Sequence, residues 1–153
     1  MIARIAIIGM MIVQMLSLSL AAQTEQSAPV QTQDAANAFS DAIAARLLGQ
    51  MREGLEAHMT RKMLSAFDLT KMSGGSGFRD QITVFFNQYE SIRVHFKLQE
   101  VTGNVAVVDA EMEMNPGSDI GAAQHKHLQL RFTVAGTAGG WKFVDVNPRS
   151  FFS

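Results

Sequence analysis

The chain has 153 residues, 13 Lys and Arg against 14 Asp and Glu, a formal net charge of −1 and no cysteine. That balance supplies no basic surface for nucleic acid or for an anionic membrane. Without cysteine there is no disulfide, no lipid attachment at a thiol and no thiolate to complete a zinc set, so the fold must rest on its core.

Residues 1–22 read as a secretory signal. Arg4 follows the amino terminus, an apolar run extends from Ile5 to Leu20, and Ser19–Leu20–Ala21–Ala22 offers small residues for cleavage. The run is interrupted by Gln14, Ser17 and Ser19 and falls short of the roughly 20 apolar residues that cross a bilayer. The expectation is therefore export, periplasmic or secreted, with no membrane contact after cleavage. Residues 23–33 are Gln, Thr, Ser, Ala, Pro and Val with one Glu, and read as a flexible polar leader. Residues 34–153, roughly 120 in number, are enough for one domain with a core of its own. Loss of Arg4 leaves 13 − 1 = 12 basic residues against the same 14 acidic ones.

From Asp34 to Phe67 the apolar period is helical. Phe39, Ile43, Leu47, Met51 and Leu55 lie four apart on one face, with Asp34 as an expected N-cap. Gly49 and Gly54 are each unfavourable by up to about 1 kcal/mol in a helix interior, so a break is expected near 54–60. Thr60 is expected to cap a second short helix carrying Met63, Leu64 and Phe67. Lys71–Gly77 reads as a Gly-rich loop, and a third helix follows at about Phe78–Tyr89, with Ile82, Phe85, Phe86 and Tyr89 on one side.

Residues 92–146 then alternate polar with apolar across successive segments, the mark of strands with one buried and one wet face. With Thr102–Gly103–Asn104 as a three-residue hairpin loop, Lys97 faces Asp109, His95 faces Glu111 and Arg93 faces Glu113, while Leu98, Phe96 and Val94 meet Val108, Ala110 and Met112. Pairing the next strand so that Glu113 opposes His127 and Asp109 opposes Arg131 also matches Met112 with Leu128 and Val108 with Phe132. The wet face reads basic, acidic, basic across neighbouring strands, an antiparallel meander. Helices followed by such a meander make an α+β fold, with helices covering one face of the sheet.

Two N-terminal helices, a loop, a helix leading into a long strand, and a meander closing in Gly140–Trp141–Lys142–Phe143–Val144–Asp145 resemble the nuclear transport factor 2-like (SnoaL-like, ketosteroid-isomerase-like) superfamily over about residues 36–147. The resemblance implies N-terminal helices packed into a curved antiparallel sheet, a cystatin-like cone whose mouth holds a small molecule in some members. It also implies a homodimer packed through sheets. The chain departs from the pattern in lacking a clear strand between the second and third helices. The superfamily hosts isomerases, cyclases, dehydratases and non-catalytic modules, so the fold leaves function open.

Candidate chemistry is sparse. If Trp141 and Phe143 face inward, Asp145 does too, beside Tyr89, Phe85 and Met112; a carboxylate against apolar walls is pushed up in pKa and suits general acid–base work. Against this, Asp145 at the sheet end would cap a turn or pair with Arg149. His125 and His127 with Glu113, His95 and Glu111 crowd the wet face, but His–Glu–x–x–His spacing is lacking, so no metal is expected. Gly74–Gly75–Ser76–Gly77 is not a phosphate loop, since no Gly–Lys–Ser/Thr follows. No cofactor is indicated. Two readings stand: an exported non-catalytic module binding a small apolar molecule, a partner chain or its own twin, and an enzyme using Asp145.

Overall fold

The four-residue spacing of apolar residues gives α1, Asp41–Glu56, which buries Ala44, Leu47, Leu48, Met51 and Leu55. The computed structural model describes residues 38–117 and 121–153. The expected signal at 1–22, the leader at 23–33 and Asp34 lie outside the described residues. The helix starts at Asp41, with an extended Ser40 in the N-cap position that was expected for Asp34. It ends at Glu56, and His58 turns the chain with φ 53°, inside the expected break.

α2, Thr60–Leu64, crosses α1 at close range. A Cβ at Gly54 would overlap the backbone nitrogen of Met63, so glycine is there for the crossing. Thr60 is the first helical residue and Met59 the N-cap, not Thr60 as expected. Phe67 lies beyond the helix end. It forms an isolated parallel bridge with Phe143, in which Asp68 N donates to the Phe143 carbonyl at 2.8 Å and Phe143 N to the Ala66 carbonyl at 2.9 Å. Among the described residues nothing longer pairs between α2 and the third helix, as the sequence departure from the cone pattern implied.

That helix, α3, spans Gly75–Gln88 and so begins three residues before the expected Phe78. Gly75–Gly77, read as loop, make its first turn. A Cβ at Gly75 would run into the Leu69 carbonyl oxygen, so close packing of the preceding turn outweighs the poor helix propensity of glycine.

The sheet comprises β1 Ser91–Thr102, β2 Val105–Asn115, β3 Gln124–Thr137 and β4 Gly140–Asn147, antiparallel in the order β1-β2-β3-β4. Lys97–Asp109, His95–Glu111, Arg93–Glu113 and their buried counterparts pair as expected. The route differs. Thr102 pairs with Val105 across a two-residue Gly103–Asn104 turn, and a bulge at Gln99, between Leu98 and Glu100, restores the faces. The β2–β3 register is displaced by two residues from the expectation. Glu111, not Glu113, opposes His127; Glu113 opposes His125; Asp109 opposes Gln129; and Val108 opposes Leu130. A two-residue slip keeps every side chain on its face, so alternation alone cannot reject it.

At β4 a second bulge matters more. Thr133 pairs with Asp145 but Val134 with Phe143, leaving Val144 as the extra residue. Phe143 and Val146 therefore point in, at 0% and 1% exposure, and Asp145 is turned out. After β4 a short 3-10 helix, Arg149–Phe152, buries Phe151 and Phe152.

The core lies between α1–α3 and the inner sheet face, and it is filled by aromatic rings. Phe132 stacks on Phe143 at 4.4 Å, Phe67 reaches Phe78 at 5.2 Å and Phe143 at 5.5 Å, and Phe152 meets Phe78 edge-on at 5.9 Å. Five of the six methionines beyond residue 22 are buried; Met59 is exposed. Among the described residues no polar or charged residue is buried.

Candidate functional site

The five residues expected around an open cone mouth are spread over the fold: Met112 borders a groove on the outer sheet face and Tyr89 a separate hollow beside Pro116 and Gln124. Phe85 and Met112 are core residues at 1% and 2% exposure. Trp141 is half-buried at the margin of the core, its ring 5.5 Å from that of Phe39. Tyr89 ends α3: its ring packs 5.2 Å from Phe85, its hydroxyl donates to Gln124 Oε1 at 3.2 Å, and its carbonyl accepts from His58 Nε2 at 3.0 Å. Asp145 corrects the expectation most directly. The Val144 bulge puts its carboxylate on the outward phase of β4, 2.6 Å from an Arg149 guanidinium nitrogen. It faces the partner that the competing sequence reading gave it, not a cone.

The outer face of β1–β3 is where ionisable groups converge. Strand pairing sets them in rows. Glu111 lies between His95 and His127, and Glu113 between Arg93 and His125. All six side chains are exposed, and they border a groove of about 400 Å³ whose lining also includes Val94, Met112 and Lys126. The Lys126 side chain belongs to the inner phase. Its ammonium donates to the Ser150 carbonyl at 3.4 Å and to that of Ser153, and burial pushes its pKa down.

Three histidines and two carboxylates so placed invite a test for metal. Among the described residues no group of three His, Asp or Glu is arranged to hold an ion. Alternation across adjacent strands spreads the donors along a surface, where a transition metal needs them converging within about 2.0–2.2 Å of one point. The rows instead set opposite charges at facing positions without closing an ion pair among the described residues, and each such pair contributes at most a few tenths of a kcal/mol.

The arrangement of helices and meander has solved counterparts. A candidate dehydratase of the NTF2-like family from Streptomyces avermitilis superposes with a TM-score of 0.56 at 13% identity, over 74% of this chain and 94% of that one. The fold is NTF2-like. A candidate aromatic ring hydroxylase from Novosphingobium aromaticivorans gives a TM-score of 0.53 at 18% identity, over 69% and 84%. An NTF2-like protein of unknown function from Shewanella oneidensis gives 0.50 at 8% identity, over 69% and 94%. No family model and no curated protein matches the sequence. At these identities the NTF2-like likeness is one of fold, and chemistry has to be argued from this chain's own residues.

Sequence reasoning found the members of the outer rows but set the β3 members two residues out of register. It matched Glu113 to His127, whereas the observed slip gives each glutamate a basic or histidine neighbour on both sides.

Proposed function

We propose that this chain is an exported, non-catalytic NTF2-like module that works by association, pairing with a second copy through the outer face of β1–β3. One observation carries the reading. The charges on that face form stripes, with Arg93, His95 and Lys97 on β1 and Asp109, Glu111 and Glu113 on β2. A face that carries both signs in adjacent stripes is self-complementary, and a two-fold interface needs only one such patch. The packed rings of Phe67, Phe78, Phe132 and Phe143 between sheet and helices support the same reading. The alternative, a SnoaL- or ketosteroid-isomerase-type enzyme with Asp145 as general acid or base, gains nothing from a carboxylate tied to Arg149 on the outward phase of β4.

Light scattering tests the proposal. The chain lacking residues 1–22 should give a dimer mass at low salt and shift toward monomer as salt rises, since exposed charge pairs are screened over about 10 Å at 0.1 M. A monomer mass at high protein concentration and low salt would refute it.

A further inference from the structure

A second hollow shares no residue with the outer groove. It is framed by α2, the 65–70 segment, the start of α3 and the β3–β4 hairpin, and its volume is about 730 Å³. That falls within the roughly 300–1,000 Å³ typical of small-molecule sites. Leu64, Phe67 and Leu69 supply apolar floor; Arg61, Arg79 and Lys142 supply cations at the rim.

The frame is held in place. The Phe67–Phe143 bridge ties the 65–70 segment to β4. The Lys142 ammonium donates to the Ser65 carbonyl, and Lys71 Nζ donates to the Gly136 carbonyl at 3.0 Å. Thr137 Oγ1 closes the hairpin by donating to the Gly140 carbonyl at 2.6 Å. Such a site loses little side-chain and loop freedom on filling.

The charges are not balanced from within. Asp68 is the single carboxylate among the lining residues, and it is engaged locally: the Thr70 hydroxyl donates to it at 2.6 Å and the Thr70 amide at 3.1 Å. Those bonds hold its carboxyl below the usual range, so it stays ionised and occupied. Arg61 and Arg79 are exposed, and among the described residues their guanidinium groups have neither a hydrogen bond nor an ion pair. An apolar floor beneath two uncommitted guanidinium groups complements one kind of molecule.

We infer that this hollow binds a small amphipathic carboxylate, its apolar body lying over Leu64, Phe67 and Leu69 and its head group taken by Arg61 and Arg79. Guanidinium offers paired N–H donors that match a carboxylate, which an ammonium does not. The apolar body supplies affinity through burial, and the head group fixes orientation. The inference does not depend on dimer formation, because the two sites have no residue in common.

Calorimetric titration with decanoate and with decan-1-ol tests it. Decanoate should bind with measurable heat below about 1 mM, and the alcohol about tenfold more weakly. Arg61→Gln and Arg79→Gln should each weaken decanoate about threefold, and together about tenfold, while leaving the alcohol unchanged, and rising salt should weaken decanoate alone. Both arginines are exposed, so the variants should keep the parent circular dichroism spectrum and melting temperature. His127→Gln, in the outer groove, should bind decanoate as the parent does. Equal affinity for acid and alcohol, or full decanoate binding by the double Arg61→Gln/Arg79→Gln variant, would overturn the inference. So would the absence of any binding.

Discussion

The Val144 bulge decides which way the end of β4 faces, and two single substitutions weigh it. Val146 is 1% exposed opposite Phe132, so Val146→Ala removes two buried carbons. At about 0.8 kcal/mol per carbon, with a further contribution from the cavity left behind, the loss comes to about 2–3 kcal/mol. Asp145 has a side chain 48% exposed and an Arg149 partner 31% exposed, so Asp145→Ala removes a largely solvated ion pair. That costs under about 1 kcal/mol. Urea unfolding followed by circular dichroism reads both. With a slope of about 1–3 kcal/mol per molar urea, Val146→Ala should lower the midpoint by about 1–2 M and Asp145→Ala by a few tenths. Equal midpoints, or the reverse order, would mean that Asp145 faces the core, and would return it to candidacy as an acid–base group.

Three shorter tests address other parts of the structure. Gly49→Ala should stabilise by about 0.5–1 kcal/mol, since a Cβ there meets nothing within 4 Å, while Gly54→Ala should destabilise by more than that because its Cβ would strike Met63; thermal melts separate the two. In Thr70→Val the Asp68 carboxyl should titrate at higher pH by carboxyl-detected NMR, because the lost hydroxyl is the main cause of its lowered pKa. The parent's extra stability from Asp68 is present above the unfolded carboxyl pKa and is lost as pH falls through the lowered folded value, so the variant should lose part of the parent's advantage above that range. If export is as proposed, mass spectrometry of envelope fractions should find residues 1–21 or 1–22 absent, and an intact Met1–Ala22 segment would identify an anchor instead.

Much of the fold was legible because period and burial agree. The α1 face that buries Leu47, Met51 and Leu55 and the pairs Arg93–Glu113 to Leu98–Val108 follow from spacing alone, whereas Phe39 lies ahead of the helix. What escaped has one kind of cause. A bulge adds a residue without changing composition, so Val144 inverted the phase of Asp145 with no local signal. The two-residue slip between β2 and β3 preserves every face and is settled by strand length and twist, which alternation does not encode. Gly75 entered a helix because of its close approach to the Leu69 carbonyl, a backbone contact that leaves no trace in the apolar spacing of Phe78, Ile82 and Phe86. The cations of the second hollow come from three elements, and no short motif joins Arg61, Arg79 and Lys142.

The stripes on the outer face also set where the two-fold axis of the proposed dimer can pass. Neighbouring strands lie about 4.8 Å apart, so β1 offers one column of bases and β2, one step over, a column of acids. An axis along β2 would set Glu111 and Glu113 against their own copies. An axis between β1 and β2 sets each basic column over the partner's acidic one, and that is the arrangement expected. Charge reversal tests it. Glu111→Lys with Glu113→Lys makes both columns basic, and Arg93→Glu with Lys97→Glu makes both acidic. Each change costs up to about 1 kcal/mol per pair within the sheet, too little to unfold the domain. Either variant alone should be monomeric, and an equimolar mixture should form a heterodimer, because both contacts then pair opposite signs. Light scattering on the separate and mixed samples reads the result. Dimers in either variant alone, or monomers in the mixture, would show that these columns do not form the interface.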